Sequence, residues 1–454
     1  MLTDKRFISS TPERWGGIEC SFTRVGSQFL DQLQITGHDR RGSSDIDRFA
    51  ALGFKSMRYP FLWEKHQLRY DHPINWQWAS GQLDALQRYN IEPIAGLLHH
   101  GNGPPFTDLL DPDFPEHFVR YARAFAEKFP WVKYYTPINE PLTTARFCGL
   151  YGLWYPHKKN DRDFAIIFLN QMKATILAME STKGINPEAQ LVQTEDLSKT
   201  YSTPLLKYQA DFENERRWLT YDTLCGRFNR HHILWPFFEQ LDLPHGLLLF
   251  FEDHYCPPEI VGADHYLTSE RFLDERLDQY PHHHRGGNHQ HEYADVEAIR
   301  VKHDHPWGLK VLLKECWERF HIPMAITEVH VNGSSQDQIR WFRQVEDQAD
   351  ELITEGIPIA AVTAWSLLGS FGWNDLLTRN DGVYEAGAFD IRAGQPALTE
   401  FGIYLKRSQS QDELWHPALA MKGWWQEPDR CFYNVDPACK DVDLVAPPLE
   451  KRAI

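Results

Sequence analysis

Two glutamates in this chain each end a short apolar segment, which is the arrangement that paired carboxylate chemistry requires. Glu140 directly follows Thr136–Asn139, and Glu328 directly follows Met324–Thr327. A single glutamate at the end of a strand is commonly the partner of a surface ion pair or of a helix N-terminus. Two that face each other could cleave a glycosidic bond, because one acid protonates the leaving oxygen while the other attacks the anomeric carbon or activates a water.

The elements that must position these glutamates alternate between short β-rich segments and longer segments of helical periodicity. The predicted strands are Gly16–Ser21, Ser56–Pro60, Pro93–Leu98, Tyr134–Ile138, Gln190–Thr194, Ile260–His265, Met324–Thr327 and Ala360–Trp365. The predicted helices are Ser44–Leu52, Trp76–Asn90, Pro115–Phe129, Phe164–Lys183, Glu215–His231, Gly308–Phe320 and Asp337–Glu355. This alternation favours the α/β class and a closed (β/α)8 TIM barrel, whose catalytic residues lie at the C-terminal ends of the strands.

The alternation stops near Gln409, which sets the expected domain organisation. We expect one catalytic barrel over residues 1–410 and a short irregular extension over residues 411–454 that packs on the barrel. The last residues, 446–454, are expected to fray.

Composition limits the classes of partner and cofactor. The 454 residues include 47 basic and 63 acidic side chains, a net charge of −16, which argues against nucleic acid or an anionic membrane as partner. The N-terminal residues show no secretory leader and the seven cysteines are scattered, so we expect a cytoplasmic protein. No glycine-rich phosphate loop or paired-cysteine motif occurs, and we therefore expect neither cofactor nor metal. The high aromatic content, 13%, suits stacking against sugar rings.

A histidine-rich segment follows the sixth predicted strand. It holds His282, His283, His284, His289 and His291. Histidine tracts bind metal in some proteins. The spacing defines no fixed helical face, so the sequence favours a polar loop beside the active site over a metal centre, and loss of activity with a chelator would reverse that preference.

From about residue 15 to residue 405 the chain resembles glycoside hydrolase family 1, a family of retaining (β/α)8 glycosidases. Asn139–Pro141 matches the family's N-E-P, and Ile326–Glu328 resembles its I-T-E segment. Leu98–Pro104 resembles the third-strand L-x-H-W-D-x-P, and Trp365–Leu368 resembles the eighth-strand W-S-L-L. The N-terminal run Trp15–Gly26 is also similar to a divergent subgroup that is sometimes fused to reductase domains of deoxysugar biosynthesis.

The resemblance implies a role for each matching residue. Glu140 would be the general acid/base, and Glu328 would be the nucleophile. Arg58 would lower the pKa of that nucleophile, and Tyr266 would donate a hydrogen bond to it. The residues implied to contact substrate are Arg24, Arg58, His100, Asn139, Asp264, Tyr266, Trp365 and Trp373. Among them Asn139 would form a hydrogen bond with the sugar 2-hydroxyl. For His100 and Trp365 the alternative is that they only pack in the core, and for Arg58 the alternative is a purely structural ion pair.

Departures from the family pattern concern the residues that read the sugar. Gly372 replaces the family's glutamate that binds the sugar hydroxyls farthest from the cleaved bond, and Gly101 replaces a tryptophan. Asp264–His265 replaces Asn-Tyr, and Arg24 lies near the expected glutamine. The resemblance therefore implies an altered glycone specificity, in which Arg24 could read a carboxylate or a phosphate.

These observations predict a retaining β-glycosidase that acts on a carbohydrate or glycoside by double displacement through a covalent glycosyl intermediate on Glu328. Two alternatives stay open. The same intermediate could be passed to an acceptor hydroxyl in a transglycosidase, or the barrel could bind sugars without catalysis. The sequence leaves the oligomeric state open.

Overall fold

A computed structural model describes residues 10–408 and 415–434 of the chain. Eight parallel strands form a closed barrel, so the predicted fold class is confirmed. The strands are β1 Glu13–Gly17, β2 Ser56–Pro60, β3 Glu92–His99, β4 Tyr134–Asn139, β5 Gln190–Asp196, β6 Ile260–Asp264, β7 Met324–Val329 and β8 Ile359–Ala364. They neighbour one another in chain order, and β1 pairs with both β2 and β8 to close the ring.

The longer helices are α1 Ser43–Ala50, α2 Gln77–Arg88, α3 Phe114–Lys128, α4 Asp161–Lys183, α5 Lys207–Arg216, α6 Leu219–Leu224, α7 Leu309–Phe320, α8 Ser335–Thr354 and α9 Glu400–Arg407. Most of them cover the outside of the barrel, and α5 lies instead at the C-terminal end of the barrel, beside a cavity. Among the described residues, no helix combines the length and apolar character needed to cross a bilayer.

The barrel interior is filled from the first residues of its strands. One buried cluster joins Trp15, Ile94, Tyr134, Val192, Ile260, Ala325, Ala360 and Ala361, each among the first three residues of its strand. Because these side chains occupy the N-terminal end of the barrel, the polar residues at the C-terminal ends of the strands are left to surround an open cavity.

A small second sheet, which we call the side sheet, stands beside the C-terminal end of the barrel. Its strands are Thr200–Ser202, which follows β5, and Arg271–Asp274, Arg285–Gly287 and Glu292–Glu297, which follow β6. Residues 415–434 lie against the barrel and end in a short strand, Tyr433–Asn434, that pairs with Val301–Lys302. The predicted fraying of residues 446–454 lies outside the described residues.

Most predicted elements lie within three residues of the observed bounds at each end, and two differ by more. The first strand is Glu13–Gly17, three residues earlier than predicted, because the chain leaves the barrel at Ile18 and the Glu19 N–H donates to the Ser366 hydroxyl at 2.8 Å. The helix predicted over Glu215–His231 is wrong. That region holds α5 and α6, and the chain turns at Gly226, whose φ of 69° is in the left-handed region.

Candidate active site

The two glutamates meet at the C-terminal end of the barrel. Glu140 directly follows β4, where Pro141 cannot donate to the strand ladder and a short helix begins. Glu328 lies within β7, in register with Asp264 of β6. One carboxyl oxygen from each of Glu140, Asp264 and Glu328 lies within 4.8 Å of the others, and all three side chains are buried.

Glu328 is held by a cation and a phenol. Arg58 Nη1 donates to Glu328 Oε1 at 2.8 Å, and the Tyr266 hydroxyl donates to Oε2. Burial and the neighbouring Asp264 raise the pKa of Glu328 well above its usual range, and Arg58 and the Tyr266 hydrogen bond oppose that rise. These two donors fix the orientation of the carboxylate and favour its ionised form.

Glu140 lies in a different environment, although it is only a few ångströms away. Burial, followed by the charges of Asp264 and Glu328, raises its pKa well above the usual range. Glu140 and Asp264 share a hydrogen bond between carboxyl groups, which requires a proton on one of them. The His100 Nε2 atom lies 3.5 Å from Glu140 Oε2, and burial lowers the pKa of His100 to about 3, so the imidazole is neutral.

Three predicted site residues lie behind these groups rather than on the cavity wall. Arg58 Nη2 donates to Asn139 Oδ1 at 2.5 Å, and its guanidinium lies 4.6 Å from the centre of the Trp365 ring. Asn139 Oδ1 also accepts from the Thr194 hydroxyl at 2.6 Å. Asp264 is fully buried and accepts from the Thr327 hydroxyl at 2.6 Å. Arg58, Asn139 and Asp264 therefore lie among the residues that support the cavity, and a contact of Asn139 with the sugar stays a prediction.

A cavity of about 730 Å³ opens above the glutamates. The predicted site residues that line it are His100, Glu140, Tyr266, Glu328, Trp365 and Trp373. Trp365 directly follows β8 and Trp373 lies in the loop beyond it, across the barrel from Glu140.

Arg24 is the predicted site residue that the structure does not bring to this cavity. It lies in a neighbouring cleft on the strand Phe22–Val25, with its guanidinium 4.0 Å from the centre of the Tyr155 ring. Glu19, two residues beyond the end of β1, contacts the site through one of its lining residues. It is almost fully buried, and its Oε2 accepts from the Trp373 indole N–H at 2.9 Å. We therefore leave Arg24 out of the proposed site and add Glu19.

Further residues at the site carried no readable signal in the sequence. His330 and Glu385 both line the cavity, and His330 Nε2 lies 2.8 Å from Glu385 Oε2. Glu195 accepts from the backbone N–H groups of Leu142 and Thr143 at 2.8 and 3.1 Å, and so fixes the short helix that follows Glu140. These residues lie far apart along the chain, and only the fold brings them together.

The histidine-rich segment and the C-terminal extension both reach the cavity. Of the histidines in that segment, His284 lines the cavity, whereas His291 contacts the Tyr208 hydroxyl at 2.9 Å on the surface. From the extension, the lining residues include Trp424 and Tyr433. The extension therefore completes one wall of the site.

A closed parallel barrel with a carboxyl pair at the ends of β4 and β7 defines the class of barrel glycoside hydrolases. The family model for glycosyl hydrolase family 1 matches residues 38–385. The chain belongs to this family and is a glycoside hydrolase.

Named relatives lie at low identity. The chain is 23% identical to β-glucosidase A of Thermotoga maritima over 76% of this chain and 81% of that protein. It is 25% identical to a 6-phospho-β-glucosidase of Clostridium longisporum over 78% of this chain and 80% of that protein. Over 72% of this chain and 74% of that protein, it is 23% identical to the aryl-phospho-β-D-glucosidase BglH of Bacillus subtilis.

Among solved structures, the fold is similar to β-glucosidase from Thermotoga maritima in complex with deoxynojirimycin. The TM-score is 0.69 at 17% identity, over 88% of this chain and 97% of that chain. The same enzyme in complex with noeuromycin gives a TM-score of 0.67 at 18% identity, over 82% of this chain and 86% of that chain. At this identity the likeness concerns the fold alone.

Proposed function

We propose that the protein hydrolyses a β-glycosidic bond with net retention, by double displacement through a glycosyl intermediate on Glu328. The separation of the carboxyl groups carries the proposal. Oxygens of Glu140 and Glu328 approach within 4.8 Å. Retaining enzymes hold their carboxyl groups about 5 to 5.5 Å apart, whereas inverting enzymes need about 6.5 to 9.5 Å to admit a water.

The charges at the site assign the two roles. Three buried carboxyl groups share one guanidinium, because Arg58 lies 2.8 Å from Glu328 and 3.6 Å from Asp264. Carboxylates this close cannot all be ionised beside a single cation, so one proton stays. Arg58 and Tyr266 stabilise the charge on Glu328, and Arg58 and Thr327 stabilise that on Asp264. The proton therefore resides on Glu140, which makes Glu140 the acid and Glu328 the nucleophile.

The reaction then has two steps. In the first step the Glu328 carboxylate attacks the anomeric carbon while Glu140 gives its proton to the leaving oxygen, so the glycosidic bond breaks as the glycosyl–Glu328 bond forms. In the second step the ionised Glu140 takes a proton from a water, and that water releases the sugar from Glu328. An acceptor hydroxyl in place of the water would give transglycosylation.

We also propose that the glycone is read differently from an ordinary β-glucoside. Gly372 has a φ of 74°, and a Cβ there would lie 3.2 Å from the Arg379 carbonyl oxygen, so this position does not suit a glutamate. Glu385 and its partner His330 line the same end of the cavity and replace that carboxylate in our proposal.

A neutral glycone suits this end of the cavity better than a phosphorylated one. Between residues 328 and 385, the lining residues of the described chain include two glutamates and no lysine or arginine. Four of the relatives are named for phosphorylated glycosides, and a phosphate would call for cations here.

We place the protein in the cytoplasm. Six cysteines of the described chain are free thiols, which suits a reducing compartment.

The test is hydrolysis of aryl β-glycosides and disaccharides of different sugars, with the first-formed anomer observed by NMR. We expect the β-anomer as the first product, and no turnover by Glu328→Gln. Glu140→Gln should keep its first step on substrates with good leaving groups, which need no proton, and lose it on poor ones. An α-anomer as the first product, or equal losses on both kinds of leaving group, would contradict the mechanism.

A further inference from the structure

The half of the cavity farthest from Trp365 and Trp373 has a distinct chemistry. We call it the outer chamber and define it by five lining residues: Arg216, Arg271, Arg300, Trp424 and Phe432. They come from α5, from the side sheet and the turn after it, and from the C-terminal extension. The wall is carried by the loops after β5 and β6; β5 adjoins β4, which leads to Glu140, and β6 adjoins β7, which carries Glu328, so the outer chamber borders both carboxyl groups. We assign it to the leaving-group part of the substrate because Trp365 and Trp373, the expected sugar contacts, follow β8 instead.

Arg216 is the central observation. Its side chain is buried, with 4% of the residue exposed, and it lines the cavity. Its guanidinium makes no hydrogen bond, and no ion pair within 4 Å, to any residue in the part of the chain that the structure describes. The guanidinium lies 5.7 Å from the centre of the Phe212 ring, and it is near enough to the buried Glu213 for its charge to lower the pKa of that carboxyl. A buried cation without an acceptor is costly, and in a cavity wall it indicates a ligand that supplies one.

A second guanidinium in this wall, that of Arg271, also has a donor atom without a hydrogen-bond partner. Arg271 donates through Nε to Asp295 at 2.7 Å and through Nη2 to the Asp295 carbonyl at 3.0 Å, but its buried Nη1 has no partner. Arg271 is thus fixed in place by one edge while Nη1 stays available.

The third arginine is held by rings. The Arg300 guanidinium lies 4.1 Å from the centre of the Trp424 ring and 4.5 Å from that of Phe432. Its ion pair with Glu297 is long, at 3.7 Å. Stacking between two rings fixes the plane of the guanidinium and leaves its N–H edges for a ligand.

The acids of the same wall are already engaged. Asp295 accepts from Arg271, and Glu297 faces Arg300. Glu213 accepts from the Thr200 hydroxyl at 2.8 Å and from the Gln209 amide at 2.9 Å, and burial raises its pKa. Asp429 of the C-terminal extension also lines the cavity, but it is exposed to solvent. On α5 and the side sheet, the lining groups left without hydrogen-bond partners are therefore donors on arginine.

We propose that the outer chamber binds a negatively charged group, a phosphate or a carboxylate, on the leaving-group part of the substrate. Arginine presents paired N–H groups that match the planar or tetrahedral oxygens of such anions. Trp424 and Phe432 form the apolar wall beside it. The position on the leaving-group side rests on the proposed glycosidase function, whereas binding of the anion does not.

The test measures binding without turnover. Phenyl phosphate, benzoate and the neutral benzamide are titrated calorimetrically into the wild type, Arg216→Met and Arg216→Lys. We expect at least one anion to bind more tightly than benzamide, Arg216→Met to weaken that anion about tenfold to a hundredfold, and Arg216→Lys to restore part of the loss. Arg123→Met removes an exposed charge on α3, 55% accessible, and should leave binding unchanged.

The results separate the sources of charge and the competing sites. Tight binding of phenyl phosphate alone assigns a phosphoryl group, and tight binding of benzoate alone assigns a carboxylate. Should Arg216→Met unfold, Arg300→Met replaces it with the same expectation. The proposal would be overturned if benzamide bound as tightly as the two anions, or if the variants bound the anions as tightly as the wild type. Loss of binding only in Arg24→Met would also overturn it. Anion binding by a protein that hydrolyses no glycoside would uphold the chamber and refute the glycosidase function.

Discussion

Asp264 gives the sharpest prediction on catalysis, because its charge acts on the proton of Glu140. We expect Asp264→Asn to move the basic limb of the pH dependence of kcat/KM toward lower pH. After burial, the charge of Asp264 is the largest cause that raises the pKa of Glu140. Without that charge Glu140 loses its proton at a lower pH, and the protonated form needed for the first step is lost with it.

The size of the effect follows from the distance. Carboxyl oxygens of Asp264 and Glu140 lie within 4.8 Å of each other. Two unit charges at this greatest separation interact by about 0.9 kcal/mol in the dielectric of water and by about 3.5 kcal/mol at an effective dielectric of about 20, and a shorter separation gives more. At about 1.36 kcal/mol per pH unit, the limb should move by roughly 0.6 to 2.5 pH units.

The assay is kcat/KM against pH on a substrate with a poor leaving group, whose cleavage depends on the acid. Asp196→Asn is the matched control. Asp196 also raises the pKa of Glu140, but it is a lesser cause and is paired with Arg146 at 3.5 Å, so its removal should move the limb less. A limb that stays in place in Asp264→Asn, or that moves equally in both variants, would refute the reasoning.

Two further predictions concern the support of the site. In Gly17→Ala the new Cβ would collide with the Trp365 ring, so we expect KM to rise while the free energy of unfolding changes modestly. Gly81→Ala is the control, because its Cβ meets nothing within 4 Å, and it should leave KM unchanged. An unchanged KM in both variants would count against a sugar-binding role for Trp365. Arg58→Met leaves the buried Glu328 and Asp264 without their cation, so we expect a loss of about 3 to 5 kcal/mol in the free energy of unfolding at neutral pH. Arg58 lowers the pKa of both Glu328 and Asp264. Its contribution to the free energy of unfolding is therefore present at a pH where these carboxyl groups are ionised, and it is lost as they protonate. Denaturant unfolding should show a smaller difference from the wild type at pH 4 than at pH 7, and a difference independent of pH would contradict this account.

The barrel could be predicted because its signals are local. Parallel strands are buried on both faces and most of them read as short apolar runs, so each of the eight predicted strands overlaps a strand of the barrel, and Ser56–Pro60 has the predicted bounds. The family motifs then identified Tyr266 and Arg58 as contacts of Glu328, which the hydrogen bonds confirm.

The rest of the site depends on contacts between distant segments. The side sheet has strands of three to six residues, too short for periodicity to distinguish them from loops. Glu19 is separated from Trp373 by most of the chain, and no local pattern pairs them. The charge of Arg24 and its place near the first strand predict a site residue, but the hairpin that begins at Phe22 places its side chain in another cleft.

The most direct test of the central claim is to trap the glycosyl intermediate. The protein is incubated with activated 2-deoxy-2-fluoro β-glycosides of the sugars it hydrolyses, and the intact mass and the labelled peptide are read by mass spectrometry. We predict one glycosyl group per chain, attached to Glu328 and absent from Glu328→Gln. A label on Glu140 or Asp264, or steady turnover with an inverted product and no label, would contradict the double-displacement mechanism.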